Sequence, residues 1–293
     1  MSLERLSPCK VNLLPNILGK RADGFHDLET LMHPVPICDR LVFDRAHSGI
    51  RLSCNDPHLP VNSRNLVFRA AQLYLQTAGL SEGVRIHLDK HIPIAAGVGG
   101  GSGNAAVTLS AMNELFDGAC SATSLAEMAA ALGSDVPFFL QPRPALATGR
   151  GEKIEPLDFF PALRSQWLVL VHPGFGISTP WAYEQLARFP AARDGRSGRA
   201  RQLVSLLQTA DLSAAASEFY NSLEAPALEK YPLLALFQEF FKTNGARAAL
   251  MSGSGSATFA LMDSEASARQ VLEKFKSHFG DKIWMTAVAL GLA

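Results

Sequence analysis

The stretch Pro93-Ile94-Ala95-Ala96-Gly97-Val98-Gly99-Gly100-Gly101-Ser102-Gly103-Asn104-Ala105-Ala106 decides the reading of this chain. Five glycines fall between positions 97 and 103, so the backbone can turn several N–H groups toward one point with no Cβ in the way. Upstream, Val84, Ile86 and Leu88 alternate as in a half-buried strand that Pro93 stops. Downstream, Ala105, Leu109, Met112 and Phe116 recur at three- and four-residue spacing and predict an amphipathic helix. A strand, a glycine loop and a helix in that order favour an oxyanion at the positive end of the helix, a phosphate above all. The competing reading, a merely flexible turn, does not call for that context. Two familiar glycine loops are excluded by spacing. No lysine follows the glycines as a Walker loop requires, and position 102 is serine where a dinucleotide fingerprint needs glycine. Ser102 can instead offer its hydroxyl to a phosphate oxygen or to Mg²⁺.

Beyond the loop, Ser124 and Glu127 have the spacing of a capping box and predict a helix over residues 125–132 that Gly133 closes. Ser134-Asp135-Val136-Pro137 follows, and the proline biases the residues before it away from helix, which puts the Asp135 carboxylate in a turn facing a cleft. The pattern restarts with an apolar strand at residues 167–171, then His172-Pro173-Gly174 and a helix near residues 179–188. Residues 191–201, rich in Arg, Gly and Ala, read as a solvated loop. Apolar residues 248–261 are interrupted by Ser252-Gly253-Ser254-Gly255. A helix carrying Ala268, Leu272, Phe275 and Phe279 and a strand over residues 283–290 complete the chain. Strands and helices alternate in both halves, so the class is α+β or α/β, with domains expected at residues 1–160 and 161–293.

The 293 residues, 47% of them hydrophobic, suffice for two cores. The 27 basic and 27 acidic residues cancel, leaving no broad field to hold nucleic acid by counterion release, so the expected partner is a small molecule. Cys9, Cys38, Cys54 and Cys120 show no Cys-x-x-Cys pair and read as reduced structural thiols. With neither a signal segment nor an apolar run of membrane-helix length, a soluble cytoplasmic enzyme is expected. Monomer and homodimer both stay open.

The stretch at residues 93–106 closely resembles the second motif of the GHMP kinases. Ser7-Pro8-Cys9-Lys10-Val11-Asn12-Leu13 is similar to their first motif, and Leu250-Met251-Ser252-Gly253-Ser254-Gly255-Ser256-Ala257 to their third. Within that family, Gly19-Lys20-Arg21-Ala22-Asp23-Gly24-Phe25-His26 and Leu132-Gly133-Ser134-Asp135-Val136-Pro137-Phe138-Phe139 resemble the branch that phosphorylates 4-diphosphocytidyl-2-C-methyl-D-erythritol for non-mevalonate isoprenoid synthesis. His172-Pro173-Gly174 and Ser178-Thr179-Pro180 are similar to later signatures of that branch.

The resemblance implies an α+β, two-domain fold, the first domain like ribosomal protein S5 domain 2 and the second ferredoxin-like, with ATP and Mg²⁺ as cofactors. It implies that Lys10 and Asp135 are catalytic, and that Pro93, Ile94, Ala95, Ala96, Gly97, Val98, Gly99, Gly100, Gly101, Ser102 and Gly103 hold the ATP phosphates, with Ser102 also touching the metal. It further implies that Asn65 and Lys90 line the nucleotide pocket and that Asn12, Phe25, His26, Thr179 and Tyr183 bind the substrate. From spacing alone, Lys10 reads as a solvated strand end and Asp135 as a helix-end or turn residue bonding to backbone. Three positions depart from the family pattern: Phe25 replaces a usual tyrosine, Pro15 interrupts a strand, and Gly103 stands where a second serine is usual. Another GHMP substrate, homoserine, mevalonate or a sugar, stays open, as does a non-catalytic nucleotide-binding relative, although the presence of both Lys10 and Asp135 speaks against lost catalysis.

Overall fold

A computed structural model of the chain describes residues 2–141, 143–209 and 211–291. It divides into two compact units, each built from several segments. One comprises Met1–Cys9, Ile37–Ile92 and Gly99–Pro142; the other comprises Lys10–Pro36, Pro93–Val98 and Arg143–Ala293. The division is thus interleaved along the chain, and its boundaries fall inside two of the quoted motifs, after Cys9 and after Val98.

Two long strands, β1 (Ser2–Lys20) and β2 (His26–Ala46), run through both sets of segments. β1 pairs with β2 and, among the described residues, with no other strand, so it is an edge. An edge is where a proline belongs, since Pro15 has no N–H to give a ladder. Its carbonyl accepts from Ser222 N at 2.8 Å, and Ile17 N donates to Ser222 Oγ at 3.0 Å.

In the first unit, β3 (Ile50–Cys54) pairs in parallel with β4 (Gly83–Asp89), and β4 pairs antiparallel with residues 40–46 of β2. Helices α1 (Leu66–Ala78), α2 (Gly100–Leu115) and α3 (Ala122–Leu132) pack on one another. Three sequence expectations change here. β4 ends at Asp89 rather than at Pro93, because the next amides are taken from the ladder: Lys90 N donates to Asn55 Oδ1, and His91 N and Ile92 N both donate to Asp39 Oδ1. α2 is buried on most of its surface rather than amphipathic, with α1, α3 and the 3-10 turn Pro137–Leu140 packed against it. α3 starts three residues before the expected position, capped by Ser121, whose hydroxyl accepts from Ser124 N at 3.1 Å.

In the second unit, residues 28–32 of β2 pair antiparallel with β5 (Ala145–Gly149), and β5 with β6 (Lys153–Pro156). The chain continues through β7 (Trp167–His172), α4 (Thr179–Gln185), α5 (Pro190–Arg193), α6 (Arg199–Leu207), α7 (Leu212–Ala216), α8 (Glu224–Lys230), α9 (Pro232–Thr243), β8 (Ala248–Met251), β9 (Thr258–Met262), α10 (Glu265–Phe279) and β10 (Trp284–Ala289). The antiparallel sheet order β10-β7-β9-β8 with α9 and α10 against it has the βαββαβ succession of a ferredoxin-like unit. Phe237, Phe241 and Phe275 are fully buried beneath it, with the Phe241 and Phe275 rings stacked at 5.1 Å and 3°.

The expected loop at residues 191–201 is instead structured. α5 and the start of α6 lie within it, and Ala192 and Ala200 are buried. What holds α6 is remote in sequence. Its N-cap is Gly198, which has no side chain, and the buried Glu29 carboxylate takes the Gly198 and Ala200 amides at 3.1 Å each. Asn16 Nδ2 donates to Glu29 and to the Arg196 carbonyl, at 2.9 and 2.8 Å.

Candidate active site

The three resembling motifs meet at one backbone carbonyl. β1 buries Lys10 to 3% exposure and Asn12 to 6%, on a run of mostly buried residues. Lys10 Nζ donates to Gly97 O at 3.1 Å and to Asn12 Oδ1. Ser252 Oγ, from the loop between β8 and β9, donates to the same Gly97 carbonyl at 3.1 Å and accepts from Asn12 N at 3.2 Å. Asn12 Nδ2 reaches Thr30 Oγ1 at 2.9 Å. Two further backbone bonds fasten the loop, Lys10 N to Val98 O at 2.9 Å and Ala257 N to Ala96 O at 3.0 Å.

Glycine is required at this junction. Gly97 has φ +79°, and a Cβ there would lie 2.2 Å from Ser252 O. Gly253 has φ +56°, with its Cβ position 3.0 Å from both Asn12 Oδ1 and Gly97 O. A side chain at either would meet backbone or buried polar atoms as well as left-handed strain of about 1–2 kcal/mol.

The helix end of the motif belongs to the other unit. Gly99, at φ +72°, caps α2 without a side-chain hydrogen bond, and no acidic residue lies in the first turn. The first amides of α2 therefore keep their partial positive charge for an anion. Ser102 is half-buried in that first turn. At Gly103 a Cβ would lie 2.8 Å from Pro8 O, 2.9 Å from Ser7 Oγ and 3.4 Å from Phe139 Cδ1. A serine at this position would collide with β1, which accounts for the glycine. Asp135 is half-buried in the turn between α3 and the 3-10 turn Pro137–Leu140. Because Phe139 reaches Gly103, that turn is packed against the start of α2, and the pre-proline Val136 takes helical angles (φ −63°, ψ −42°) to enter it.

Asn65 and Lys90 are both engaged locally. Asn65 is the N-cap of α1: its Oδ1 accepts from Val67 N at 2.9 Å and its Nδ2 donates to Pro60 O at 2.8 Å. Lys90 Nζ lies 2.6 Å from the carboxylate of Asp39, which is fully buried and also receives Asn104 Nδ2 from α2 at 3.0 Å and the two amides of residues 91 and 92. Asp39 thus ties residues 90–92 to α2, a role the sequence reading missed. Truncating it strands a buried ammonium, so Asp39→Ala is expected to cost about 3–5 kcal/mol. Urea unfolding checks this by a fall in midpoint, and an unchanged midpoint would refute it.

Of the residues expected to bind substrate, His26 and Tyr183 pair with each other, while Phe25 and Thr179 have other partners. The His26 and Tyr183 rings are 5.2 Å apart and tilted by 42°. Phe25 is 54% exposed, with the Arg150 guanidinium 4.8 Å from its ring centre. Partial burial, then the charges of Lys20 and Arg193, hold the His26 imidazole below its ordinary pKa, so it is neutral near pH 7 and offers one donor and one acceptor. Thr179, in the first turn of α4, shares a 2.8 Å hydrogen bond with Ser254 Oγ of the β8–β9 loop.

Behind that loop sits Glu224, whose Oε1 accepts from Met251 N at 2.7 Å and from Gln238 Nε2 at 2.6 Å. Burial pushes its carboxyl up to about 7 against these hydrogen bonds. The folded protein therefore holds this proton more tightly than the unfolded chain. The resulting stability is complete below about pH 4.5 and is lost as pH rises through about 7. Glu224→Gln is expected to flatten the fall in melting temperature across that window, and a variant with the same slope as the parent would contradict this.

Among the described residues no helix is long and apolar enough to cross a membrane, and no group of three or more His, Cys, Asp or Glu side chains is placed to hold a metal. A model of the GHMP kinase N-terminal domain matches residues 65–142, and one of the GHMP kinase C-terminal domain matches residues 201–281. Two curated relatives carry the name 4-diphosphocytidyl-2-C-methyl-D-erythritol kinase. The one from Syntrophotalea carbinolica is 38% identical over 94% of this chain and 95% of its own length, and the one from Syntrophus aciditrophicus 40% identical over 92% of each. A crystal structure of 4-(cytidine 5'-diphospho)-2C-methyl-D-erythritol kinase superposes with a TM-score of 0.79 at 35% identity, covering 98% of this chain and 99% of that one. Homoserine kinase from Cytophaga hutchinsonii, at 21% identity and a TM-score of 0.73 over 98% and 93% of the two chains, shares the fold. With both domain models matched and relatives of this identity along nearly the whole length, the chain belongs to the GHMP kinases, the two-domain α+β family of small-molecule phosphotransferases.

Proposed function

We propose that this kinase transfers the γ-phosphoryl group of ATP to the 2-hydroxyl of 4-diphosphocytidyl-2-C-methyl-D-erythritol, a step of non-mevalonate isoprenoid synthesis. The observation that carries the choice of substrate is the pairing of the His26 and Tyr183 rings, with the exposed Phe25 next to His26 in the chain. Rings stack on a nucleobase and a neutral imidazole can read its edge. Homoserine and mevalonate offer no such base. Phe25 retains the stacking surface and forgoes the hydroxyl of a tyrosine.

The residues present suit a nucleotide triphosphate with Mg²⁺. The uncapped start of α2 and the left-handed Gly97 and Gly99 suit phosphate oxygens, and the Ser102 hydroxyl is a hard oxygen of the kind Mg²⁺ takes. When bound, the metal would be held in part by the Ser102 hydroxyl and would supply positive charge against the phosphates. Pro93 to Gly103 line the phosphates, Asn12 and Thr179 hold the alcohol, and Asn65 and Lys90 shape the nucleotide pocket from the N-cap of α1 and beside Asp39. Lys10 offsets charge that builds on the transferring group, and Asp135 orients the hydroxyl and accepts its proton late. The N-terminal domain occupies residues 1–160 and the C-terminal domain residues 161–293. The enzyme works in the cytoplasm without a nucleic-acid partner.

Testing the purified chain against the cytidine diphosphate alcohol, homoserine, mevalonate and galactose separates the substrates. Mg²⁺-dependent ADP release with the cytidine compound alone is expected. Turnover of homoserine alone would overturn the substrate, and ATP binding with no transfer to any acceptor would support a non-catalytic relative.

A further inference from the structure

The turn Asn221-Ser222-Leu223-Glu224 belongs to none of the phosphate or substrate motifs, yet it joins the strand of the first motif to the loop of the third. Ser222 is bonded to Pro15 and Ile17 of β1, the strand of Lys10 and Asn12. Asn221 faces the other way. Its Nδ2 donates to Met251 O and to Gly253 O, each at 2.8 Å, and its Oδ1 accepts from Leu223 N at 2.8 Å. The side chain is 2% exposed, and all three bonds are to backbone.

The carbonyls that Asn221 holds flank Ser252, whose hydroxyl joins Asn12 to Gly97. Gly253 and Gly255 take left-handed angles, so the loop has wide backbone freedom unless tied. The neighbouring atoms leave little slack, as the 3.0 Å approaches of a Cβ at Gly253 to Asn12 Oδ1 and Gly97 O indicate. An amide supplies two donors and one acceptor together; a carboxylate accepts only.

We propose that Asn221 is a positioning residue for phosphoryl transfer: by holding the Met251 and Gly253 carbonyls it fixes the loop through which Ser252 aligns Asn12, Gly97 and hence Lys10. The inference rests on the kinase function proposed above. It predicts a loss in kcat rather than in nucleotide binding, because misplaced groups lower the rate of transfer while the ATP contacts on α2 persist.

Full-length Asn221→Ala and Asn221→Asp are assayed beside the parent for ATP-dependent phosphorylation of the cytidine diphosphate alcohol, with kcat taken per folded molecule. The aspartate variant keeps the acceptor for Leu223 N and removes both donors to the loop. Both variants are expected to lose about 10²-fold in kcat with the KM for ATP within about threefold. Combining Asn221→Ala with Ser252→Ala should cost little beyond the worse single change, since both act through one loop. Parental kcat in either folded variant would overturn the proposal, as would fully additive losses in the pair. If the alanine variant does not fold, the aspartate variant decides. A parent that phosphorylates no acceptor would instead defeat the kinase function itself, so the two failures are distinguishable.

Discussion

Replacing Lys10 by methionine is expected to lower kcat by about 10³-fold while leaving the KM for ATP within a few-fold. Methionine approximates the length and apolar body of lysine, so the change removes the ammonium with little change in packing. That ammonium is buried on β1 and donates to Gly97 O, the carbonyl on which the three motifs converge. A charge so fixed does not reorganise when negative charge builds on the transferring group, and stabilisation confined to that moment appears in kcat. Steady-state kinetics on a variant shown to be folded by circular dichroism provides the measurement. A kcat within a few-fold of the parent would remove Lys10 from the chemistry.

Asp135→Asn is expected to lower kcat by at least about 10²-fold with ATP affinity little changed. The amide matches the carboxylate in size, so the turn between α3 and the 3-10 turn should persist, and only the capacity to take a proton is lost. Its place supports the expectation. The turn abuts the start of α2 through Phe139 and Gly103, near the amides that suit the phosphates. Nucleotide affinity measured by titration, set beside kcat, separates the two effects. Near-normal turnover would leave Asp135 a turn residue.

Much of this was legible in the sequence where the signal is local. The loop and helix at residues 97–116, the helix of Thr179 and the β8–β9 hairpin around Ser252 are specified by neighbours a few positions away, through glycine, capping and alternation. What was missed depends on distant partners. Residues 191–201 look like a loop because they are rich in Arg, Gly and Ala, and the N-cap Gly198 has no side chain to bond the first amides of α6; Glu29 on β2 does so instead. Pro15 reads as a strand breaker, yet β1 continues because Ser222 meets its free edge. Asp39 left a trace that could have been read. It shares the inward parity of Leu41 and Phe43 in β2, and a carboxylate on a buried face demands donors. Lys90, Asn104 and two amides supply them. Asn221 and Glu224 carried no such sign, since the backbone groups they hold, at Met251 and Gly253, lie 27 to 32 residues further along the chain.

The most direct test is phosphorus NMR of the product after the chain has been incubated with ATP, Mg²⁺ and 4-diphosphocytidyl-2-C-methyl-D-erythritol. A new phosphomonoester on the 2-hydroxyl beside an intact diphosphate, formed in step with ADP, is the predicted result. ADP with inorganic phosphate and an unchanged alcohol, or no consumption of ATP, would contradict it.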